Sequence, residues 1–386
     1  MEIRPVLAVI IFVYSREGNA WGLSEDGRLD FVELAEKYDR DVEEFEVLTE
    51  DGYKLKLFRL PGGRRGPLLL MHGVFDSADT WIIRGNTSLA ITLVDRGHDV
   101  WAGNCRGNKY GRSHVRLDPD VDEEFWEFSF EEFGYYDLPA IIDSVLNHTA
   151  AGSVTAIGHS QGNTIFYVLA ATRPEYNEKV NLMIALSPIC FLQNVPPPLK
   201  TIIELSPSLN ELAEFLNLRE MLGENSALTA KWRTLCPKPL IGYKICIQAI
   251  LFLLTGDDED ELEPDFVPTV VGHFPTGTSE KNLYHFGQVA SGRKFARYDY
   301  GAKVNFAIYN RSTPPEYDLS AVRFKVALLV GANDKLSTPD DVAILRQKLP
   351  NVVYYLLIPR RKMNHPDFIW GRHIEDYLLP YLFDLI

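Results

Sequence analysis

The chain has 386 residues, 46% of them hydrophobic and 24% charged, which is enough apolar material for a large core and too ordered a composition for a disordered segment. A formal net charge of −14 argues against nucleic acid as a partner, because phosphates are held by clustered Lys and Arg. It also argues against electrostatic capture by anionic lipid, so contact with a membrane or droplet is expected to be apolar.

In chain order, the polar start Met1-Glu2-Ile3-Arg4 precedes a short apolar run from Pro5 to Tyr14 and the small-residue stretch Gly18-Asn19-Ala20. This pattern resembles a secretory signal peptide over residues 1–20, cleaved near Ala20. The run is too short to span a membrane, which needs ~20 apolar residues. The later run Ile245–Leu254 stops at Thr255-Gly256-Asp257. A secreted or lysosomal lumenal protein with no integral membrane span is the expectation. Asn86, Asn147 and Asn310 each open an N-x-S/T triplet and are candidate glycosylation sites. Cys236 and Cys246 are close enough in sequence to form a disulfide in an oxidising compartment, while Cys105 and Cys190 are expected to stay buried thiols.

Phe45–Thr49 and Lys54–Leu60 read as strands joined by a turn at Asp51-Gly52. Pro67–Met71 is a continuous apolar run, as in a parallel strand covered on both faces. Further strands are predicted at Asp99–Ala102, Val154–Ile157, Leu182–Leu186, Val326–Val330 and Val352–Ile358. Helical spacing marks Phe130–Leu146, Asn163–Thr172 and Pro339–Lys348. Strands alternating with helices give an α/β fold with a mostly parallel central sheet and helices on both faces. The interval 187–310 breaks that rhythm. Its helical, apolar stretches (Leu199–Leu205, Leu212–Leu222, Ile245–Leu254) read as an insertion over one end of the sheet. The resulting division is a core, 21–186, an insertion, 187–310, and a second core part, 311–386.

Gly158-His159-Ser160-Gln161-Gly162 matches G-x-S-x-G, with an apolar strand before it and a helical pattern after it. A nucleophilic Ser at such a strand-to-helix turn needs glycines where side chains would clash. A serine hydroxyl also needs a base, and in α/β-hydrolases the chain order is Ser, acid, His. Asp334 follows the strand Val326–Val330 and is the candidate acid; Asp340 and Asp341 are its rivals, placed where a helix begins. His365, in a loop after Ile358, is the candidate base; His373 is assigned to the final helical stretch as a surface or packing residue. Two backbone N–H groups must meet the developing oxyanion. Gln161 supplies one, and Val74, with Phe75 as the fallback, supplies the other from the loop His72-Gly73-Val74-Phe75. His72 is read as a hydrogen-bonding residue of that turn.

These segments, with Gly103-Asn104-Cys105-Arg106-Gly107-Asn108, Pro275-Thr276-Gly277-Thr278-Ser279 and Asn364-His365-Pro366-Asp367-Phe368-Ile369-Trp370-Gly371, resemble the acid lipase family, which includes lysosomal acid, gastric and insect lipases. The resemblance spans roughly residues 38–371. It implies an α/β-hydrolase fold with a helical cap or lid, no metal and no organic cofactor, and a triad of Ser160, Asp334 and His365. It further implies hydrolysis of triacylglycerol or cholesteryl ester at a lipid droplet or micelle interface. The Asp257–Glu261 run is more acidic than the resemblance would lead one to expect of a lid. The alternatives are a soluble carboxylesterase of the same fold and a catalytically silent lipid-binding protein.

Overall fold

The computed structural model describes residues 22–63, 65–238 and 241–386; the expected signal peptide, residues 1–20, lies outside them. Two antiparallel strands, β1 (Glu43–Leu48) and β2 (Lys54–Leu60), turn at Gly52, whose φ of +101° suits a residue without Cβ. β3 (Arg65–Met71), β4 (His98–Gly103), β5 (Val154–His159) and β6 (Val180–Leu186) follow. A two-residue pair, β7 (Glu220–Met221) with β8 (Thr278–Ser279), lies apart from the main sheet. The main sheet resumes with β9 (Lys325–Val330) and β10 (Val352–Leu357).

The main sheet has eight strands in the order β1-β2-β4-β3-β5-β6-β9-β10. β2 pairs antiparallel with β1 and β4, and every other pairing is parallel. Strand alternation divides the core into two layers. Leu68, Leu70, Ile184, Leu186, Ala327 and Leu329 enter one apolar cluster. Leu69, Met71, Met183, Ala185, Val326, Leu328 and Val330 enter the other. Each such fully buried aliphatic side chain contributes about 1.5–3 kcal/mol, and this two-sided burial is why the strands read as unbroken apolar runs.

Between β6 and β9 the chain builds a helical insertion. Leu199–Glu204 and Ser206–Phe215 run on almost continuously, and Ala227–Leu235 follows. A π-helical stretch, Tyr243–Leu251, continues into Phe252–Thr255. Val267–His273, Glu280–Gly292 and Ala302–Tyr309 complete the insertion. The helix expected over Leu212–Leu222 ends at Phe215. Asn217 and Leu222 take left-handed φ values of 52° and 54°, and Glu220–Met221 between them extends into β7. Cys236 and Cys246 are joined by a disulfide, and Cys105 and Cys190 are buried thiols. No helix among the described residues is long and apolar enough to cross a membrane.

Candidate active site

Ser160 sits between β5 and the helix Gln161–Thr172 with φ 55° and ψ −121°, a strained backbone for a non-glycine residue. The turn is held by Ser160 N–H donating to Leu186 O (3.2 Å) and by Asn163 N–H donating to Ser160 O (2.9 Å). A Cβ on Gly162 would lie 2.1 Å from Met71 O, so only glycine lets the helix start this close to β3.

The loop after β3 carries the candidate oxyanion donors. His72 is neutral: burial pushes its pKa down to about 4. Its Nδ1 bonds Gly73 O (2.8 Å), and its Nε2 takes a bond from Cys105 N–H (3.1 Å). Asn104 Oδ1 accepts from Ala78 N–H at 2.9 Å, and Asn108 Nδ2 donates to Asp76 O at 3.1 Å. The Gly103–Asn108 segment thus braces the oxyanion loop. The N–H groups of Val74 and Gln161 are engaged by no hydrogen bond among the described residues. Phe75 has φ 61°, and its carbonyl accepts from Thr276 N–H (2.8 Å), so this loop is also tied to the insertion.

Asp334 follows β9 and His365 follows β10, as the sequence order led one to expect. His365 Nδ1 lies 2.9 Å from Asp334 Oδ2 and 3.2 Å from Oδ1. Leu336 N–H and Ser337 N–H each donate to Asp334 Oδ1 at 2.8 Å. Burial pushes the Asp334 carboxyl up, but the charge and hydrogen bond of His365 and the Ser187 hydroxyl outweigh it and hold the pKa below the usual carboxylate range. His159, beside the candidate nucleophile Ser160, donates from Nε2 to His365 O (3.0 Å), and the two rings stand 4.8 Å apart. Burial, then the neighbouring His365, pushes the pKa of His159 down to about 3, so it stays neutral. Ser160 Oγ forms no hydrogen bond among the described residues; the nucleophile–base bond of such sites often tightens only when substrate is seated.

Ser160, Asp334 and His365 are 6%, 4% and 6% exposed. The insertion closes over them: Asn282 Nδ2 donates to Gln161 Oε1 at 2.7 Å. Thr255 O accepts from both Lys335 N–H (3.4 Å) and His365 N–H (3.3 Å), fastening the acid and histidine loops to one helix end. Two clefts of about 560 and 380 Å³, lined by Asp51 and Arg106 and by Arg84 and Glu263, lie away from these residues. Among the described residues no group of His, Cys, Asp or Glu side chains is arranged to hold a metal ion.

The rival acids have other work. Asp340 and Asp341 begin the helix Pro339–Lys348, and buried Asp341 accepts from Gln193 N–H and Asn194 N–H at 3.1 Å, anchoring the chain as it leaves the sheet. His373 is not within a helix as assigned; one helix ends at Trp370, and His373 stands at the N-cap position of the next, Ile374–Tyr377, where it bonds Glu261. Asn86, Asn147 and Asn310 are exposed. Ser187 and His159 were not singled out by the sequence, since neither falls on a motif position whose chemistry stands out.

The whole arrangement is that of an α/β-hydrolase. Residues 66–371 match the alpha/beta hydrolase fold family, and residues 31–85 match the partial alpha/beta-hydrolase lipase region. The chain is 36% identical to Lipase 1 of Drosophila melanogaster over 92% of its own length and 79% of that protein. It is 36% identical to gastric triacylglycerol lipase of Mus musculus, covering 95% of each chain. It is 33% identical to lysosomal acid lipase/cholesteryl ester hydrolase of Homo sapiens, covering 95% of this chain and 93% of the other. Among solved structures, an epoxide hydrolase from Vigna radiata shares the fold with a TM-score of 0.51 at 15% identity, over 89% of this chain and 97% of that one. The chain belongs to the acid lipase, gastric-lipase-like branch of the α/β-hydrolase superfamily, and it is a carboxylic ester hydrolase.

Proposed function

We propose that the protein is a serine lipase that cleaves neutral lipid esters, triacylglycerol or cholesteryl ester, through an acyl-enzyme on Ser160. The observation that carries this reading is the juxtaposition of His365 with Asp334 at 2.9 Å, with His365 O held by the residue next to Ser160. Ser160 Oγ attacks the ester carbonyl while His365 Nε2 takes its proton. Asp334 keeps His365 in the Nδ1–H tautomer and stabilises the imidazolium. Val74 and Gln161 N–H hold the oxyanion, each worth about 3 kcal/mol. The alcohol leaves with the proton from His365, and water then releases the fatty acid.

The preference for lipid over soluble ester is supported by the insertion's outer face. Ile202, Leu205, Leu209, Leu212 and Leu216 recur at helical spacing, and all are about half exposed. Beside them Phe215 is 85% exposed. With a net charge of −14, such a face suits an uncharged droplet or micelle. The substrates for which the gastric and lysosomal relatives are named agree with this class. We further propose an oxidising lumenal or extracellular compartment, which the Cys236–Cys246 disulfide and the exposed Asn86, Asn147 and Asn310 acceptors favour.

The test is Ser160→Ala. Ester hydrolysis is expected to fall ~10⁴-fold or more, and a fluorophosphonate probe should label the parent enzyme but not the variant. Near-parental turnover by the variant would eliminate the scheme.

A further inference from the structure

Ser187 closes β6, the strand that lies between the nucleophile strand β5 and the acid strand β9. Its N–H donates to Leu329 O of β9 (3.0 Å), which fixes its position against the acid strand. The side chain is fully buried, and the backbone is left-handed, with φ 52°. A non-glycine residue in that conformation is sparsely populated and persists where its surroundings over-determine it. Ser187 Oγ lies 2.7 Å from His365 Nδ1, nearer than either oxygen of Asp334 at 2.9 and 3.2 Å. The same hydroxyl bonds Asp334 Oδ2.

The donor assignment follows from chemistry. An ionised carboxylate only accepts, so the Ser187 hydroxyl proton points to Asp334 Oδ2. That leaves an Oγ lone pair facing His365 Nδ1–H, which Ser187 shares with Asp334. We propose that Ser187 is a positioning residue of the hydrolytic site, a fourth member that fixes the His365 tautomer and stabilises the imidazolium formed when Ser160 loses its proton. This rests on the assignment of Ser160, Asp334 and His365 given above. Ser187 exchanges no proton with substrate; the proton passes from Ser160 through His365 Nε2 to the leaving alcohol in acylation, and from water through His365 Nε2 to Ser160 in deacylation.

The expected direction of the effect can be worked out. Removing the hydroxyl takes a nearby oxygen away from Nδ1–H, which makes the imidazole harder to protonate. It also takes a donor from Asp334 Oδ2, which makes the carboxylate slightly more basic and acts the other way. The first effect dominates because Oγ is the closest acceptor to Nδ1, and Asp334 keeps the Leu336 and Ser337 N–H donors. The other titratable group facing His365 is His159, which stays neutral.

The experiment uses the full-length enzyme and its Ser187→Ala and Ser187→Gly variants with a soluble p-nitrophenyl ester, kcat and KM being measured from acid to alkaline pH. A glycine at this position adopts the left-handed backbone without strain, so the second variant guards against an Ala variant that folds poorly. Both variants should lose kcat about tenfold, as for a hydrogen bond to a charged group, with KM changed by less than about twofold. The acid limb of kcat/KM should move to lower pH, and the low-field proton NMR signal of His365 Nδ1–H should move upfield. Parental kcat, or a kcat loss with the acid limb and the proton signal unmoved, overturns the proposal. Ser160→Ala run in parallel separates the two readings: if it stays active the triad assignment fails, whereas an inactive Ser160→Ala with parental Ser187 variants sinks the positioning role alone.

Discussion

Asp76 stands two residues beyond Val74, the proposed oxyanion donor, is 3% exposed, and accepts from Ser77 N–H at 2.9 Å. Burial pushes its pKa from 3.8 up to about 8, so the folded protein holds a neutral carboxylic acid there at pH 6. The unfolded chain releases that proton near the ordinary value. Between about pH 4 and pH 8 the folded state therefore binds one more proton than the unfolded state. The Asp76 contribution to stability is full below that window and is lost as pH rises through it. Asp76→Asn keeps an acceptor for Ser77 and does not titrate. Relative to the parent, it should gain up to about 1.4 kcal/mol per pH unit across the window. Urea unfolding at pH 5 and pH 8 checks this, and a difference that stays constant with pH would refute it. The same scale shows how far the sequence could be read. Ser160 could be placed at a strand-to-helix turn because its glycines answer a steric demand, and Asp334 and His365 in loops after their strands because the apolar runs before them mark the strand ends. Ser187 and His159 were not legible, because a hydroxyl or imidazole acquires its role only from the neighbour it meets across the sheet. Asp76 was opaque for the same reason: its proton is held by burial, which no local pattern encodes.

The element that fastens the histidine loop is the acidic segment after the helix Phe252–Thr255, expected from the sequence to be an unusually acidic lid. Its key members face inward. Asp258 and Glu261 are fully buried, and Arg360 pairs with them at 2.8 and 3.1 Å. Glu261 also accepts from His373 N–H (2.8 Å) and Tyr377 Oη (2.9 Å). His365 lies on the segment between these anchors, so the run is a clamp on the catalytic loop. Its acid pattern was visible in the sequence, but its direction depends on a cation about a hundred residues later. Arg360→Ala should leave the buried Asp258 without its cation and Glu261 with only its His373 and Tyr377 bonds, and lower stability by about 3 kcal/mol. It should also lower kcat on a soluble ester, as His365 loses its registration, while Arg360→Lys recovers part of both. Guanidinium unfolding with ester kinetics on the same preparations checks this; an Ala variant with parental stability would show that the clamp carries no energy. Elements covered on both faces, such as β3 and β9, were the most readable, since continuous apolar runs leave little choice of structure. The insertion was less so. Its apolar residues serve both a core contact and an exposed face, so periodicity marked helices but not the break at Phe215.

At the scale of the whole molecule, the sheet, the triad and the insertion pose one problem of access. The side chains of the proposed triad are almost fully buried, yet under the proposed function a neutral lipid must reach them from an interface. The stripe Ile202, Leu205, Leu209, Leu212 and Leu216 lies on two nearly continuous helices of the insertion, with Glu204, Glu211 and Glu214 also exposed there. An apolar stripe turned to water costs solubility and contributes nothing to the core, so its retention points to a surface that it meets. Replacing Leu209, Leu212 and Phe215 together by Ser should leave the fold intact, because all three are exposed. Activity on emulsified long-chain triacylglycerol should fall at least about tenfold, because ~2 kcal/mol of apolar contact at the interface would be lost. Hydrolysis of a short soluble ester should stay within about twofold, since the three side chains are turned to solvent. Equal losses on both substrates would mean that the stripe shapes the active site instead of meeting lipid. Unchanged emulsion activity would move the interfacial contact to another face and return the soluble carboxylesterase to consideration.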